Sequence, residues 1–509
     1  MNRKTALLVY TSVLLLSFIG IGSQFIQPVK ASGTIYIRAD GSIDPDTAPI
    51  TSLDNVTYTF TDNINGSIVV ERDNIVVDGE NNTLHGTGNE TGIGVLLSNG
   101  LNITITNIEI RSFEYGIYLW NTNRSRIIKN NITENGMGMM VYPHSCHNII
   151  TENKITKHHY GDGIREGYHS DNNTISYNYI AEAGEGVYVG GASNNTISHN
   201  RIVACTSFGI RVDWSSDISI LQNNMTDNGI PYPGGAAISI YDTTDCLVRK
   251  NKILNNEYGI YIYSTSEIEI IQNDLVENYR GIKSFESSND SIYHNNFISN
   301  TAQVESDQST NIWDDGYPSG GNYWSDYAGA DSNDDGIGDI PYIIDANNQD
   351  DYPLMNPWIP IETNAKVKGK NYPVTIVSNI TIDQIVTTSN QLRFKSSGPT
   401  GETGYINVIF PMVNTTEIKV FIDGQKLTPP PFPVINSNGT HYFIYFEFTL
   451  STHDIALQFA PLAPSIPVGG VWLPINKFEL LVPLIGYVSF AMIAVASIVY
   501  VKHRRKQQN

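Results

Sequence analysis

The sequence predicts an all-β protein: a right-handed parallel β-helix of about ten coils, then a small β-sandwich and one C-terminal transmembrane helix. Three features of the sequence predict this arrangement. A repeat of about 23 residues runs through more than half of the chain. Alternating strand patterns follow the repeat, and an uncharged apolar run stands close to the C-terminus.

The repeat is marked by an asparagine that recurs at Asn130, Asn153, Asn178, Asn200, Asn223, Asn251, Asn273 and Asn295. An apolar β-forming residue stands three positions before each asparagine and another stands two positions after it. A glycine followed by an apolar residue comes after most of them, as in Gly209-Ile210. About 23 residues suffice for one coil of three short strands, and stacked coils bury the alternate side chains. We expect each asparagine to adopt the left-handed backbone and to hydrogen-bond to its copies in the coils above and below.

The N-terminus resembles a signal peptide, because Asn2-Arg3-Lys4 precedes an uncharged apolar run from Ala6 to Ile21. An uncleaved anchor is the alternative. Near the other end, residues 480–500 carry no charge and are followed by a basic cluster that begins at Lys502. Such a run is long enough to span a bilayer, and the positive-inside rule places the basic tail in the cytoplasm. The sequence therefore predicts a single-pass cell-membrane protein with its ectodomain outside.

These patterns divide the chain into seven segments. The predicted segments are a signal peptide 1–31, a β-helix 32–310, a block 311–360, a β-sandwich 361–460, a proline-rich stalk 461–479, a transmembrane helix 480–501 and a cytoplasmic tail 502–509. About fourteen Asn-x-Ser/Thr sequons, Asn102 and Asn194 among them, are compatible with a glycosylated surface protein.

Composition argues against a nucleic-acid-binding protein and against a fold held by disulfides or zinc. The formal net charge of -20 repels phosphate backbones, so nucleic acid is not an expected partner. The three cysteines, Cys146, Cys205 and Cys246, are odd in number, and their spacing matches no zinc template. The fold therefore does not depend on a disulfide framework.

A block of motifs after the last coil carries a resemblance to a known family. It reads NIWDDG from Asn311, SGGNYWSDYAGAD from Ser319, NDDGIGDIPY from Asn333 and DDYPLM from Asp350. With the repeats, it resembles the NosD-like, periplasmic copper-binding type of parallel β-helix protein over about residues 70–360. The resemblance implies a fold shared with carbohydrate-binding and sugar-hydrolysis domains, and it implies a role in copper handling.

The same block contains a candidate calcium loop. Its ligand positions, spaced as in the first nine residues of an EF-hand loop, would be Asp331, Asn333, Asp335, the carbonyl of Ile337, and Asp339. Tyr342 stands where an EF-hand carries its bidentate glutamate, so a further ligand would have to come from elsewhere. The alternative is an acidic, solvated turn.

A second candidate metal site combines soft and imidazole ligands. It comprises His144, Cys146, His147 and His169, with three methionines (Met137, Met139 and Met140) close by. Thiolate, thioether and imidazole together suit copper. Met139 follows Gly138 in an inward position, however, and is equally well explained as part of the core.

An outward-facing row of aromatic and charged residues follows the glycine-apolar pairs. Its predicted glycan-binding members are Trp120, Tyr142, Arg165, Tyr188, Arg211, Tyr241 and Tyr263. Aromatic rings stack on the apolar faces of sugars, and arginine binds hydroxyls or carboxylates. Stacking of tyrosine on tyrosine between neighbouring strands is the structural alternative.

Carboxylates in the same coils also allow an enzymatic function. The candidate catalytic residues are Asp213, Arg211, Glu166 and Asp242, with Glu185 and Asp162 as further carboxylates. A glycosidase needs two such groups across its sugar, and a lyase needs a base beside an arginine or calcium. The sequence favours a non-catalytic surface module for extracellular glycans or surface-layer components. A polysaccharide lyase or hydrolase and a copper-binding protein are the alternatives.

Overall fold

The computed structural model describes residues 32–88, 92–158, 161–230, 233–401, 403–413 and 415–461. The predicted signal peptide, the stalk beyond residue 461, the transmembrane helix 480–501 and the tail 502–509 lie outside the described residues. Within the described ranges, no helix is long and apolar enough to cross a membrane.

Most of the described chain is a right-handed parallel solenoid built from short strands. In chain order, these strands are β1 (Ser32–Ile37), β2 (Ile43–Asp44), β3 (Ile50–Thr51), β4 (Thr57–Phe60), β5 (Ile64–Val70), β6 (Val76–Asp78), β7 (Thr83–His85), β8 (Ile93–Ser98), β9 (Thr104–Thr106), β10 (Glu109–Arg111), β11 (Tyr115–Trp120), β12 (Arg126–Ile128), β13 (Asn131–Thr133), β14 (Met137–Val141), β15 (Ile149–Thr151), β16 (Lys154–Thr156), β17 (Ile164–Gly167), β18 (Thr174–Ser176), β19 (Tyr179–Ala181), β20 (Glu185–Gly190), β21 (Thr196–Ser198), β22 (Arg201–Val203), β23 (Phe208–Asp213), β24 (Ser219–Leu221), β25 (Asn224–Thr226), β26 (Ala236–Tyr241), β27 (Leu247–Arg249), β28 (Lys252–Leu254), β29 (Tyr258–Tyr263), β30 (Glu269–Ile271), β31 (Asp274–Val276), β32 (Arg280–Phe285), β33 (Ser288–Tyr293), β34 (Asn296–Ile298), β35 (Ala302–Asp307), β36 (Thr310–Ile312) and β37 (Tyr323–Trp324).

Each coil supplies one strand to each of three parallel stacks, which we call ladders A, B and C. Ladder A contains β5, β8, β11, β14, β17, β20, β23, β26, β29, β32 and β35, and β1 pairs with its first strand. Ladder B runs from β4 through β6 and β9 to β36, and ladder C runs from β7 through β10 to β37. The solenoid therefore has about eleven turns in the described residues, one more than predicted. The first turn was missed because it precedes the region in which the marker asparagines are regular.

Alternation within each strand places the aliphatic side chains inside the solenoid, as predicted. Ile127 pairs with Ile150 in ladder B, and Ile132 pairs with Ile155 in ladder C. All four side chains are buried. In ladder A the residues after the glycines are buried in the same way, and Met139 is one of these core residues. The glycine before each of them has a steric cause: a Cβ on Gly163 would lie 2.6 Å from the carbonyl oxygen of Gly186 in the next coil.

The marker asparagines form the predicted hydrogen-bonded stack between ladders B and C. The Nδ2 of Asn200, for example, donates to Oδ1 of Asn223 at 3.0 Å and to the carbonyl oxygen of Ile175 at 2.9 Å. The same Oδ1 of Asn223 also accepts from the backbone N–H of Asn200 at 2.9 Å. Bonds of this kind run from Asn130 to Asn322, so the turn is fixed by side chains that are themselves buried.

The expectation that these asparagines adopt the left-handed backbone is wrong. The left-handed residue is the one before each asparagine, as at His199 with φ 56° and at Gln222 with φ 55°. The asparagine instead points inward, because its amide must reach backbone groups of two neighbouring coils. The preceding residue makes the turn and keeps its side chain outside.

The block that follows the last coil closes the solenoid. Asn322 continues the asparagine stack, and the Trp324 ring stacks on Phe297 and on Tyr342, each with centroids 4.2 Å apart. The buried Asp350 carboxylate accepts from the Trp324 Nε1–H at 2.8 Å and from the Asn322 N–H at 2.7 Å. Aromatic residues thus cover the open end of the aliphatic core.

The remaining strands form a two-stranded ribbon and two five-stranded antiparallel sheets. They are β38 (Tyr342–Ile343), β39 (Gln349–Asp350), β40 (Pro360–Val367), β41 (Lys370–Ser378), β42 (Thr381–Thr388), β43 (Gln391–Ser397), β44 (Thr403–Pro411), β45 (Thr415–Ile422), β46 (Gln425–Lys426), β47 (Val434–Ser437), β48 (His441–Thr449) and β49 (His453–Pro461). One sheet has the order β40-β41-β44-β48-β47 and the other has the order β42-β43-β49-β45-β46.

Candidate functional site

The outward face of ladder A carries the predicted row of aromatic and charged side chains in register. Met140, Arg165, Tyr188 and Arg211 are direct neighbours on successive strands. The row continues through Ser239, which pairs with Tyr261. These residues stand outside because their neighbours at the next position, such as Val189 and Val212, fill the core.

A groove of about 460 Å³ opens at the end of ladder A where the chain turns towards ladder B. Three glycines lie along it, Gly167, Gly190 and Gly191. The coils on either side carry bulky residues at these positions, for example Tyr142 before Gly167 and Trp214 after Gly191. The groove is open at Gly191, where an added Cβ would meet no atom within 4 Å, whereas the Tyr188 ring already lies over Gly190.

Aromatic rings form the walls of this groove. Tyr142 and Tyr168 meet edge to face with ring centroids 5.0 Å apart, and Trp214 lies on the other side. Tyr168 is 64% exposed and Trp214 is 61% exposed, so both rings present most of their surface to solvent. The Trp214 Nε1–H donates to Asp242 Oδ2 at 3.2 Å, which orients the indole. Exposed aromatic rings grouped around a concave surface are typical of ligand sites.

Sequence reasoning missed Tyr168 and Trp214 because both follow a strand rather than lie in it. Both occupy the left-handed region, with φ 52° and φ 48°, which bulky residues rarely adopt. An alignment of the coils at the turn after ladder A would have revealed these two aromatic residues. Neighbouring coils carry an asparagine, a histidine or a glycine at that turn, as at Asn121, His144 and Gly191, so an aromatic residue there is exceptional.

A chain of five ionisable side chains reaches the groove through Arg165, the member of the chain that lines it. Arg165 Nε bonds to Asp162 Oδ2 at 2.6 Å, and its Nη2 lies 3.8 Å from Glu185 Oε2. Arg211 Nη1 lies 3.2 Å from Glu185 Oε1. Arg211 also holds Asp213 in a two-point contact, with Nε–Oδ1 of 3.0 Å and Nη2–Oδ2 of 2.8 Å. Three carboxyls thus share two guanidiniums.

Burial shifts the acidity of these carboxyls. It raises the pKa of Glu185 to about 7, with the neighbouring Asp162 adding to the shift and Arg211 and Arg165 opposing it. Burial also raises the pKa of Asp162 and of Asp213 from their ordinary value, against the opposing effect of the arginines. A carboxyl with a pKa close to neutrality can hold or release a proton at physiological pH.

The structure places the candidate catalytic residues in three different environments. Arg211 and Asp213 belong to the ion-paired chain. Asp242 is exposed and bonded to Trp214. Glu166 adjoins the groove but is only 1% exposed, because it occupies an inward position between Val141 and Val189.

The predicted glycan-binding residues divide into two groups. Tyr142, Arg165 and Tyr188 line the groove, and the Arg165 guanidinium lies 4.1 Å from the centre of the Tyr188 ring. Trp120, Tyr241 and Tyr263 are not part of the lining. Tyr241 meets the groove residue Trp214 edge to face with centroids 5.7 Å apart, and it stacks on Tyr263 at 4.7 Å in a row that continues to Phe285 at 5.2 Å. This second group fits the structural alternative of tyrosine stacking between strands.

The predicted copper ligands do not form a closed cluster. The His144 and His169 rings stack in parallel with centroids 5.8 Å apart, and both follow ladder A at the same turn. The Cys146 thiol donates to the carbonyl oxygen of His169 at 3.3 Å, and His147 is exposed. In the described part of the chain, no group of three or more His, Cys, Asp or Glu residues is arranged to hold a metal ion. Copper binding stays a prediction.

The predicted calcium loop turns its carboxylates towards its own backbone. Asp331 accepts from the N–H groups of Asp335 and Gly336 at 3.1 and 2.8 Å, and Asp339 Oδ2 accepts from the Ser332 N–H at 2.8 Å. The Asn333 Nδ2 donates to Asp335 Oδ2 at 3.0 Å, and the Ile337 N–H donates to Asp335 Oδ1 at 3.0 Å. These bonds tie the carboxylates to the backbone of their own loop, and calcium binding stays a prediction.

A larger open cleft of about 670 Å³ lies between ladder B and the first C-terminal sheet. Leu221 and Ile271 line one side, Ile409 and Phe443 line the other, and a Lys250–Glu362 ion pair of 3.4 Å crosses it. The ladder A groove is the stronger candidate site because its Tyr168 and Trp214 rings are largely exposed, whereas Trp358 and Phe443 in the cleft are buried.

The chain belongs to the family described as "Periplasmic copper-binding protein (NosD)". The family profile matches residues 51–232 and 159–329, which together cover more than half of the chain. No curated protein matches the sequence.

Solved structures resemble the chain at low sequence identity. The periplasmic alginate epimerase AlgG is 13% identical, with 52% of this chain and 80% of that chain covered and a TM-score of 0.39. A tailspike protein of the E. coli bacteriophage HK620 is 12% identical, with 84% and 81% covered and a TM-score of 0.39. The catalytic domain of a GH87 α-1,3-glucanase is 13% identical, with 52% and 57% covered and a TM-score of 0.41.

Proposed function

We propose that this protein is a non-catalytic glycan-binding module and that the groove beside Gly167, Gly190 and Gly191 holds the sugar. The observation that carries the proposal is the set of exposed aromatic walls, Tyr168 and Trp214 above all, around the open space at Gly191. Aromatic faces take up the C–H faces of a sugar ring, and a groove of this volume lies in the usual range for small-ligand sites.

The polar rim supports the same proposal. Arg165 stacks over Tyr188 and is about one third exposed, so part of its guanidinium remains available to hydroxyl groups. Its position is fixed by Asp162, which reduces the entropy that is lost when a ligand binds. Exposed aromatic faces beside a fixed guanidinium suit the C–H faces and the hydroxyl groups of a sugar.

The test is a binding screen of the purified full chain against a panel of neutral and anionic oligosaccharides, measured by calorimetry, with products of the same samples analysed by mass spectrometry. We expect at least one glycan to bind without being cleaved. Trp214→Ala and Tyr168→Ala should each weaken its binding about tenfold or more, since one stacked ring contributes on the order of 1–2 kcal/mol.

Tyr177→Ala is the matched control. Tyr177 is also aromatic, 60% exposed and left-handed, with φ 56°, but it follows ladder B and lies outside the groove. Its substitution should leave affinity unchanged. Binding that survives both groove variants, or a panel with no bound glycan, would contradict the proposal.

A polysaccharide lyase or hydrolase is the second candidate, and the Glu185 carboxyl favours it. A pKa of about 7 is suited to a general acid or base, and Glu185 lies between two arginines that could hold a substrate. New oligosaccharides in the product analysis, abolished by Glu185→Gln, would establish this second function in place of the first.

We propose a surface location for the groove, with extracellular glycans or surface-layer components as partners. The support comes from the sequence: the predicted signal peptide 1–31 and the uncharged run before Lys502. Copper binding, which the family description names, has the stacked His144–His169 pair as its structural support.

A further inference from the structure

The cations beside the groove are already held by carboxylates of the protein. Among the described residues that line the groove, Arg165 is the only arginine or lysine. Its Nε is bonded to Asp162, and the neighbouring Arg211 is engaged at two points by Asp213 and once by Glu185. No guanidinium beside the groove is left without a carboxylate partner within the described residues.

These carboxylates are better buried than the arginines that they bind. Side-chain exposure is 6% for Asp162, 12% for Glu185 and 1% for Asp213, against 36% for Arg165 and 33% for Arg211. A ligand carboxylate that recruited Arg211 would leave Asp213 buried and without its partner. Breaking a buried pair in this way costs several kcal/mol, on the order of 3–5.

A further acidic group stands beside the same groove. Asp242 is exposed and holds the Trp214 indole at the rim. The whole chain carries a formal net charge of -20. A negatively charged ligand therefore meets repulsion from the field of the protein as well as paired arginines.

We infer that the groove accepts neutral glycans, bound through hydroxyl groups, and rejects glycans that carry uronate carboxylates. This inference rests on the proposed glycan-binding function and specifies its ligand class. A hydroxyl group can accept a hydrogen bond from a free N–H of Arg165 and donate to a carboxylate, so it can join the ion-paired chain without breaking it.

The test uses three forms of one oligosaccharide that the binding screen retains: the neutral sugar, the same sugar oxidised to a uronate at C6, and the methyl ester of that uronate. Affinities for the full chain are measured by calorimetry. We expect the uronate to bind about tenfold more weakly than the neutral sugar or worse, and the ester to recover most of the loss, because charge and not shape is the cause.

Glu185→Gln should narrow the difference in affinity between the neutral and the uronate sugar. The substitution removes one carboxylate from the ion-paired side chains and leaves more of both guanidiniums available. Glu277→Gln is the matched control: Glu277 is exposed and lies in a coil that does not contribute to the groove, so the difference in affinity should persist.

With the unmodified protein, raising salt from about 20 to about 200 mM should strengthen uronate binding, because salt screens repulsion.

A uronate that binds as tightly as the neutral sugar, or that binds more weakly as salt is added, would overturn the charge selectivity and leave the glycan-binding function intact. An unchanged difference in Glu185→Gln would also overturn it. Failure of every glycan to bind is a different result, since it contradicts the function itself.

Discussion

At the scale of single residues, Glu166 is a carboxylic acid in a position that aliphatic side chains occupy in the neighbouring coils. Its partners on ladder A are Val141 and Val189. Burial raises the pKa of Glu166 to about 8, against the opposing effect of its hydrogen bond from Asn173. The group is therefore mainly protonated inside the folded protein at neutral pH.

We expect Glu166→Gln to change how stability depends on pH. Because the folded pKa lies above the unfolded value of about 4.5, wild-type stability is fully present below pH 4.5 and falls as pH rises through about 8. Glutamine does not ionise, so the variant should match the wild type near pH 4 and exceed it by about 2–4 kcal/mol near pH 9. Urea unfolding at the two pH values measures this. A variant that is less stable than the wild type at pH 9 would contradict the assignment.

The residues of the groove show what sequence can predict at this scale. Period-two alternation placed Arg165, Tyr188 and Arg211 outside correctly, because the core demands an aliphatic residue at every other position. Because the Arg165 side chain points outward, the same alternation places the next side chain, Glu166, inside the solenoid. The groove itself could not be predicted, since it depends on glycines in neighbouring coils coming together in space.

At the scale of the repeating element, the asparagine stack provides hydrogen-bond partners for buried turns that water cannot reach. Asn223 donates from Nδ2 to the carbonyl oxygen of Ile197 at 2.9 Å and to Oδ1 of Asn251 at 3.1 Å. Its own Oδ1 accepts from Asn200. Each asparagine thus joins three coils.

Asn223→Ala should destabilise the protein by about 2–4 kcal/mol, because it leaves the backbone N–H of Asn200 and the carbonyl oxygen of Ile197 without these side-chain partners. Chemical unfolding monitored by circular dichroism measures the change. Asn224→Ala is the control, since Asn224 is the next residue but faces solvent, and it should cost less than about 0.5 kcal/mol. Equal effects in the two variants would contradict the structural role of the stack.

The asparagine stack could be predicted from the sequence, but the backbone geometry of its turn could not. The 22- to 28-residue spacing and the flanking isoleucines determine which residues are equivalent. They do not show which residue of the turn bends the chain. That depends on whether the asparagine amide or the preceding side chain must face inward.

At the scale of the whole molecule, Trp358 joins the end of the solenoid to the C-terminal sheets. Its ring stacks on His294 with centroids 3.6 Å apart, and its backbone N–H and carbonyl oxygen bond to the Asn296 side chain at 2.6 and 2.9 Å. It also packs with Val377 and Tyr405 from the first C-terminal sheet. Burial lowers the pKa of His294 to about 4, so this stack is uncharged at neutral pH.

Trp358→Ala should allow the solenoid and the C-terminal sheets to unfold separately. Loss of this buried ring should lower the free energy of unfolding by about 3–5 kcal/mol. We expect one calorimetric unfolding transition in the wild type and two in the variant. Trp120→Ala, at an exposed position on the solenoid, should leave a single transition. A single transition in Trp358→Ala as well would show that the two parts are coupled elsewhere.

Glycan binding in the groove beside ladder A can be observed directly in a crystal structure of the full chain with an oligosaccharide retained in the binding screen. We expect a sugar ring in contact with Tyr142, Tyr168 and Trp214, above Gly191. A sugar bound over the Tyr241–Tyr263–Phe285 stack, or in the cleft beside ladder B, would contradict it.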